Sequence, residues 1–458
     1  MPALMPEIKA SRYNSFIRLQ ESKKLLGYNG ISTFAVEFPI DVAETIEKIL
    51  CSPNGDSTDQ ELGIKLTLLR GGFLIPEPVD ELALLKVKNR QERFCAGSAG
   101  YTFLLTKDCN LRCPYCYQQR DKGAMPREVV EAFLELAERD TKGGKPLSMN
   151  WFGGEPLLYL DLLLDIHKHL RKIARHNKSD FSQSIITNGY LLTPKVAKQL
   201  VKIGCNWAQI TLDGPKRIHD TKRVLPGSGP TFDRIVEHIR AASEVMTISV
   251  RVNIDKDNVD YVDELLDELE AAKLRGKVTI YFARIQPYTD ICADVSGLCF
   301  GAQDFSKLES RFAMKKIERG WGVPMYPTLK GGFCCADSLA GKTICPDGTI
   351  VKCWNDVSYP EEAIGHLTKP QITEVEMMRN RLKWLAWDPF EKPECVKCPV
   401  LPNCMGGCPY VGIRSENQTK GECSLLKYNL GEIIALTYFH ERAVEEMKKR
   451  EGEKEAER

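Results

Sequence analysis

The sequence predicts an α/β protein: a curved, mostly parallel sheet or partial barrel at the centre, a small α+β module before it and a cysteine-rich domain after it. Three observations carry this prediction. Between about residue 100 and 285, β-rich runs alternate with amphipathic helical stretches, six strands to five helices. The first hundred residues instead mix short strands, turns and helices, and nine of the 17 cysteines lie between Cys334 and Cys423.

The alternation opens with "YTFLLT" (101–106), a cysteine-bearing loop, and "PREVVEAFLELAERD", where Pro126 starts a helix and Val129, Val130, Phe133, Leu134 and Ala137 fall at helical spacing. "LSMNWF" then precedes "LDLLLDIHKHLRKIARH", and "QSIIT" precedes "TPKVAKQLVKIG". "WAQITL" precedes "TFDRIVEHIRAASEVM", "ISVRVN" precedes "NVDYVDELLDELEAAKL", and "VTIYFA" closes the series. Right-handed crossovers between parallel strands turn such a series into a curved sheet or partial barrel. In barrels of this kind the loops after the C-terminal strand ends build the active site, so chemistry is sought there.

Upstream, "SRYNSFIRL", "KLLGYNGIS" and "TFAVEF" read as strands, "DVAETIEKIL" as a helix capped by Asp41, and "DQELGIKLTLLRGGFLI" as a helix running into a strand. Residues 86–100 read as a linker, and "ERAVEEMKKREGEKEAER" as a solvated charged helix or frayed tail. The chain therefore divides into residues 1–95, 100–290, 330–425 and 426–458.

Composition narrows the function. The 458 residues are 43% apolar and 27% charged, with a formal net charge of +1, which offers no basic footprint for nucleic acid. No stretch reaches the roughly 18 uninterrupted apolar residues of a membrane span, and "MPALMPEIKASRYNSF" holds no long apolar run, so a cytoplasmic protein with no membrane partner is expected. In a reducing cytosol clustered thiols bind metal or do redox chemistry. Cys51, Cys95, Cys205, Cys292 and Cys299 stand outside the clusters and read as small hydrophobes or inert thiols.

Four loops point at the rim of the predicted barrel. The first, "TKDCNLRCPYCYQQ", carries Cys109, Cys113 and Cys116, one thiol short of a closed tetrahedral site. The second, "FGGEP", has Gly153 and Gly154 for close backbone approach and the Glu155 carboxylate. "TNGY" and "LDGP" supply Asn188, Gly189 and Asp213, residue types that also serve plain turns. The competing reading of the triplet is structural zinc closed by a remote histidine. His167 and His169, two apart on a helix, do not share a face, and no other obvious fourth ligand is in the sequence.

"CNLRCPYC" followed by "GGEP", "TNG" and "LDG" closely resembles the radical S-adenosylmethionine (SAM) enzymes over residues 100–290. The resemblance implies a partial (β/α)6 barrel. It also implies a [4Fe-4S] cluster on Cys109, Cys113 and Cys116, whose fourth iron is left for SAM and which yields a 5′-deoxyadenosyl radical. It further implies that Gly153, Gly154 and Glu155 meet the SAM amine, that Tyr115 lies against adenine, and that Asn188, Thr211 and Asp213 stand on the ribose side. Thr211 occupies a position where many relatives have serine.

The second cysteine field, residues 333–423, resembles the SPASM extension of radical SAM enzymes that modify peptides and proteins. The resemblance implies one auxiliary [4Fe-4S] cluster on Cys395, Cys398, Cys404 and Cys423, and another on Cys335, Cys353 and Cys408. The fourth ligand of the latter is Cys334, Cys345, or a site left to substrate. "CVKC" and "CMGGC" also resemble a zinc ribbon, which keeps a non-catalytic iron-sulfur or zinc scaffold among the readings.

The strand-then-helix start of the chain resembles the leader-peptide recognition domains of peptide maturases; a plain barrel cap is the alternative. Together the resemblances imply a maturase that modifies a ribosomally made, leader-bearing precursor peptide through thioether or carbon crosslinks, reduced by a flavodoxin or ferredoxin. A sulfatase maturase forming formylglycine is the rival. Such enzymes carry an aspartate base directly after the cysteine that Cys353 resembles, whereas here Trp354 follows, with Asp356 nearby.

Overall fold

The computed structural model describes residues 7–95, 97–322, 325–330, 334–414 and 423–456. The first six and last two residues of the predicted outer segments, and residues 415–422 ahead of Cys423, lie outside the described residues.

The N-terminal module runs β1 (Ile8–Ala10), β2 (Asn14–Leu19), β3 (Lys24–Asn29), β4 (Ala35–Pro39), α1 (Ala43–Cys51), α2 (Asp59–Arg70), β5 (Leu74–Pro76) and α3 (Glu81–Phe94). β2, β3 and β4 form an antiparallel meander, and β1 pairs with β5. The period-two alternation of the strands sends Leu25 and Phe38 against α1 and α2, and Leu26 and Tyr28 to the opposite face.

Two expectations are corrected here. Asp41 does not cap α1: Pro39 (φ −57°) leads into a single 3-10 turn, Ile40–Val42, so the helix starts later with Val42 at its cap and no side-chain bond. Residues 86–100 are not mainly a linker, because α3 runs to Phe94. Asp80 caps it by accepting from the Ala83 N–H at 3.0 Å, and Leu85, Asn89 and Arg93 recur every four residues on its buried face.

The central series follows as β6 (Ala99–Leu104), α4 (Arg127–Asp140), β7 (Leu147–Phe152), α5 (Leu160–Asn177), β8 (Phe181–Thr187), α6 (Pro194–Lys202), β9 (Cys205–Leu212), α7 (Lys216–Lys222), α8 (Phe232–Ala242), β10 (Thr247–Ile254), α9 (Val262–Ala271) and β11 (Val278–Arg284). The six strands pair in parallel in sequence order, and their apolar side chains form one core with the inner faces of the helices around Phe103, Phe133 and Trp151. The short α7 between β9 and α8 was not expected from the sequence.

Past α10 (Ala302–Glu318), the strands β12 (Gly341–Ile344), β13 (Thr349–Val351) and β14 (Gly365–His366) extend the same sheet. β12 joins parallel to β6, and β13 and β14 follow antiparallel, so the barrel stays open between β11 and β14. α11 (Glu374–Leu385) and the short helices α12 (Pro393–Val396), α13 (Leu401–Cys404) and α14 (Pro409–Arg414) follow, with Cys395 on α12, Cys404 ending α13, and Cys398 and Cys408 in the turns before α13 and α14. α15 (Leu426–Ala456), kinked at Asn429, runs back to the start of the chain, where Leu430, Ile434 and Tyr438 pack on the second face of the meander. Its first half is thus a structural element, while the charged half continues as helix.

No helix among the described residues is long and apolar enough to cross a membrane.

Candidate active site

The rim is assembled by main-chain contacts between successive loops. The Gly154 N–H donates to the Thr106 carbonyl at 3.0 Å and the Glu155 N–H to the Asp108 carbonyl at 2.9 Å, which fastens the Gly-Gly-Glu turn to the entry of the cysteine loop. The glycines are required by that approach. A Cβ on Gly153, whose φ is +134°, would stand 2.4 Å from the Thr106 carbonyl oxygen, and one on Gly154 would stand 2.1 Å from that of Asp108.

Glu155 is fully buried, and its carboxylate accepts from the Thr187 hydroxyl (2.7 Å), the Asn188 N–H (2.8 Å) and the Leu157 N–H (3.0 Å). Burial pushes its carboxyl up while these donors hold it down. The side chain therefore ties the loop after β8 to the loop after β7. Asn188 donates to Asn110 Oδ1 at 2.8 Å and stands 3.9 Å from Cys109 Sγ, and its own Oδ1 accepts from the Tyr190 N–H at 2.9 Å. It serves the turn and faces the cysteine loop at once.

Tyr115 is the hub of the opposite side. Its hydroxyl donates to Asp213 Oδ2 and accepts from Arg223 Nη1 at 2.7 Å and Asn253 Nδ2 at 3.3 Å. Arg223 stands 3.9 Å from Asp213. Asp213 Oδ1, Arg223 Nε and Asn110 Nδ2 are buried without a hydrogen-bond partner among the described residues. Buried polar atoms of this kind call for a polar ligand. Thr211 lies outside this hub, half-buried within β9 opposite Arg251 of β10. Arg223 was missed by the sequence reading. It follows α7 with no motif around it, and only the fold brings it to Tyr115.

Two thiols of the first loop are also desolvated. Burial pushes Cys109 up to about 12 and Cys113 up to about 11, with Arg223 pulling Cys113 the other way. Bare thiols here keep their protons, and a metal centre would take them as thiolates with proton release.

The remaining cysteines fall into two neighbourhoods. Cys395 feels the charges of Cys404, Cys398 and Cys423. Cys335 is hydrogen-bonded to Cys334 and feels Cys353, and Cys353 in turn feels Cys334 and Cys408. Cys345 stands apart. It is buried among Leu104, Val351 and Val357, and the charges that reach it come from Asp347, Lys107 and Asp356 rather than from a thiol. Of the two cysteines left open as a fourth ligand, Cys334 lies beside Cys335 and Cys353, while Cys345 follows the end of β12 in an apolar setting.

Among the described residues no three His, Cys, Asp or Glu side chains converge as they would on a single metal ion. A cubane spreads its ligands over separate irons, whereas zinc draws sulfurs to about 2.3 Å from one centre. A donor set made wholly of thiols fits an iron-sulfur cluster.

The C-terminal domain covers the rim. The Gln119 N–H donates to Ser358 Oγ at 2.8 Å, Tyr410 donates to the Tyr288 carbonyl at 3.1 Å, and the Trp354 ring lies 5.8 Å from that of Phe152. Asp356 is buried under Arg414, and burial pushes its carboxyl up to about 7.

A family description, the radical SAM superfamily, matches residues 103–269. The GTP 3′,8-cyclase of Helicobacter pylori is 30% identical over 299 residues, 61% of this chain and 86% of that protein. The chain belongs to the radical SAM superfamily. Superfamily membership brings a [4Fe-4S] cluster and SAM as cofactors.

Other radical SAM relatives share different extents. The Fe-coproporphyrin III synthase of Methanosarcina barkeri is 27% identical over 173 residues, 37% of this chain, and the chain spans only 40% of its length. The radical SAM cyclopropyl synthase TigE of Paramaledivibacter caminithermalis is 28% identical over 397 residues, 79% of this chain and 80% of that one. Among solved structures, anSMEcpe with bound AdoMet is 19% identical and superposes with a TM-score of 0.58 over 75% of this chain and 98% of its own. Streptococcus suis SuiB bound to the precursor peptide SuiA is 16% identical, with a TM-score of 0.52 over 92% and 99%. At such identities the likeness is one of fold.

Proposed function

We propose that this radical SAM enzyme is a peptide maturase that modifies a ribosomally made precursor by thioether or carbon crosslink formation. The observation that carries the reading is one chain joining a rim with three thiols in its first loop, two further thiol groups beside it, and a small sheet with β4 at its edge. The SuiB–SuiA complex, alike in fold over most of the chain, supports a peptide substrate.

In this reading Cys109, Cys113 and Cys116 hold the SAM cluster, which when bound supplies the electron that cleaves SAM to methionine and a 5′-deoxyadenosyl radical. The chain's own residues place and isolate SAM. Gly153 and Gly154 let the second loop close on the cysteine loop, and Glu155 locks the third loop onto it and meets the SAM amine. Arg223 and Asp213, each with an unused buried polar atom, receive SAM's charged and hydroxyl groups, with Tyr115, Asn188 and Thr211 around them. Trp354, Tyr359 and Tyr410 keep the C-terminal domain on the rim and water out.

Cys395, Cys398, Cys404 and Cys423 would hold one auxiliary cluster, and Cys334, Cys335, Cys353 and Cys408 the other. The meander is the place for an extended leader, which can add to a sheet edge. A cytoplasmic flavodoxin or ferredoxin would be the reductant.

Anaerobically reconstituted protein given reductant and SAM should form 5′-deoxyadenosine, and the Cys109→Ala variant should not. With its precursor the product should be lighter by two hydrogen atoms per crosslink in the mass spectrum. Absence of 5′-deoxyadenosine from cluster-loaded protein would overturn the reading.

A further inference from the structure

The N-terminal module meets the C-terminal cysteine loop directly. Tyr13, between β1 and β2, is 1% exposed and shares an apolar cluster with Leu85, Phe390, Leu401 and Met405, against which Cys395 also packs. Arg12 donates to the Val396 carbonyl at 2.8 Å, between Cys395 and Cys398. Asn403, next to Cys404, donates to the Tyr28 hydroxyl at 2.9 Å. Three residues of the module thus reach the segment, 393–404, that carries Cys395, Cys398 and Cys404.

Tyr13 is held firmly in that seam. Glu81 of α3 accepts from the Ser11 hydroxyl at 2.5 Å and the Arg12 N–H at 2.9 Å, and the Tyr13 carbonyl accepts from the Gly30 N–H at 3.0 Å. Yet the Tyr13 hydroxyl is buried with no hydrogen-bond partner among the described residues, while the charge of Cys398 reaches it. A buried phenol left without a partner is costly, so its retention calls for an acceptor. The acceptors this neighbourhood can offer, once its thiols are loaded, are thiolate and sulfide sulfurs.

We propose that the Tyr13 hydroxyl donates a hydrogen bond to a sulfur of the auxiliary cluster held by Cys395, Cys398, Cys404 and Cys423, which makes the N-terminal module one wall of that cluster's site. The inference rests on the cluster assignment above. Hydrogen bonds to cluster sulfurs favour the more negative reduced state and raise the reduction potential. Through Tyr13, the module that would hold a leader peptide also sets the redox poise of a cluster in another domain.

The test is Tyr13→Phe in the full-length, cluster-loaded protein. It deletes the hydroxyl and keeps the ring in its apolar cluster. An EPR-monitored redox titration should show one auxiliary signal with about a tenfold smaller equilibrium constant for one-electron reduction, a shift of ~59 mV to lower potential. Unchanged potentials at full iron content would overturn the proposal. So would loss of all iron, since a hydroxyl bonded to no protein group has no folding role apart from the cluster. Selective loss of about four irons, with the other clusters kept, would support it. The Cys395→Ala variant separates the two layers of argument. If it leaves the iron content of the parent unchanged, the cluster assignment fails; if iron falls and the Tyr13→Phe potentials do not move, only this inference fails.

Discussion

Gly154 carries two demands at once, since its amide bonds the Thr106 carbonyl while its missing side chain leaves room for the Asp108 carbonyl 2.1 Å from where a Cβ would stand. Gly154→Ala must therefore push the main chain of the cysteine loop, at a cost of about 1–3 kcal/mol. Anaerobically purified protein with this substitution should lose about four irons against the parent, read by iron and sulfide analysis. The Gly-Gly-Glu motif was legible in the sequence as a place of close approach, but what approaches in this structure is backbone. Arg223 was illegible for the opposite reason: ten residues beyond Asp213, it comes within 3.9 Å of it only through the turn of α7.

At the scale of elements, α2 begins where the sequence reading placed it, and the structure adds the cap that fixes its start. Thr58 accepts from the Glu61 N–H at 3.2 Å while Glu61 accepts from the Thr58 N–H at 2.8 Å, a reciprocal box at the start of α2. Thr58→Ala should cost about 1 kcal/mol, measured as a shift of the urea midpoint with an unchanged slope. The lysine of Lys48 and the Thr58 N–H hold Glu61 down to about 2 from an ordinary 4.5, so its contribution is present above about pH 4.5 and fades as pH falls toward 2. Asp41 shows the limit of such signals, because a good capping residue is overruled when the preceding proline bends the chain into a 3-10 turn. α3 shows the converse. Its polar surface reads as linker, yet Arg93 is buried, and only its partners explain why.

Arg93 joins distant parts of the molecule. It is 2% exposed and donates to the Asp337 carbonyl at 3.1 Å and the Leu385 carbonyl at 3.2 Å, with its Nε 3.5 Å from the Asp337 carboxylate. Arg93→Leu removes one partner of a buried pair and should destabilise by about 3–5 kcal/mol, seen in chemical denaturation. The pH dependence should change as well. Burial holds Asp337 up at about 6 against an ordinary 3.8, with Arg93 opposing the rise. An acid raised in this way stabilises fully below about pH 4 and loses that contribution as pH climbs through 6. Without Arg93 its folded value climbs further, so the loss of stability with rising pH extends upward in the variant. Thermal denaturation from pH 5 to 8 checks this.

The sequence by itself determined what depends on near neighbours along the chain: the strand-helix alternation, the helix-starting prolines, the three-cysteine loop and the turns that follow successive strands. These follow from periodicity, capping and spacing, which short segments express unaided. Only the tertiary structure decided which thiols stand together, that Cys334 rather than Cys345 joins Cys335 and Cys353, that β12 extends the barrel sheet beside β6, and that Tyr13 faces the Cys395 loop. These outcomes depend on contacts between residues far apart in the chain. Such contacts are set by which surfaces bury one another, a property of the folded whole that no local pattern encodes.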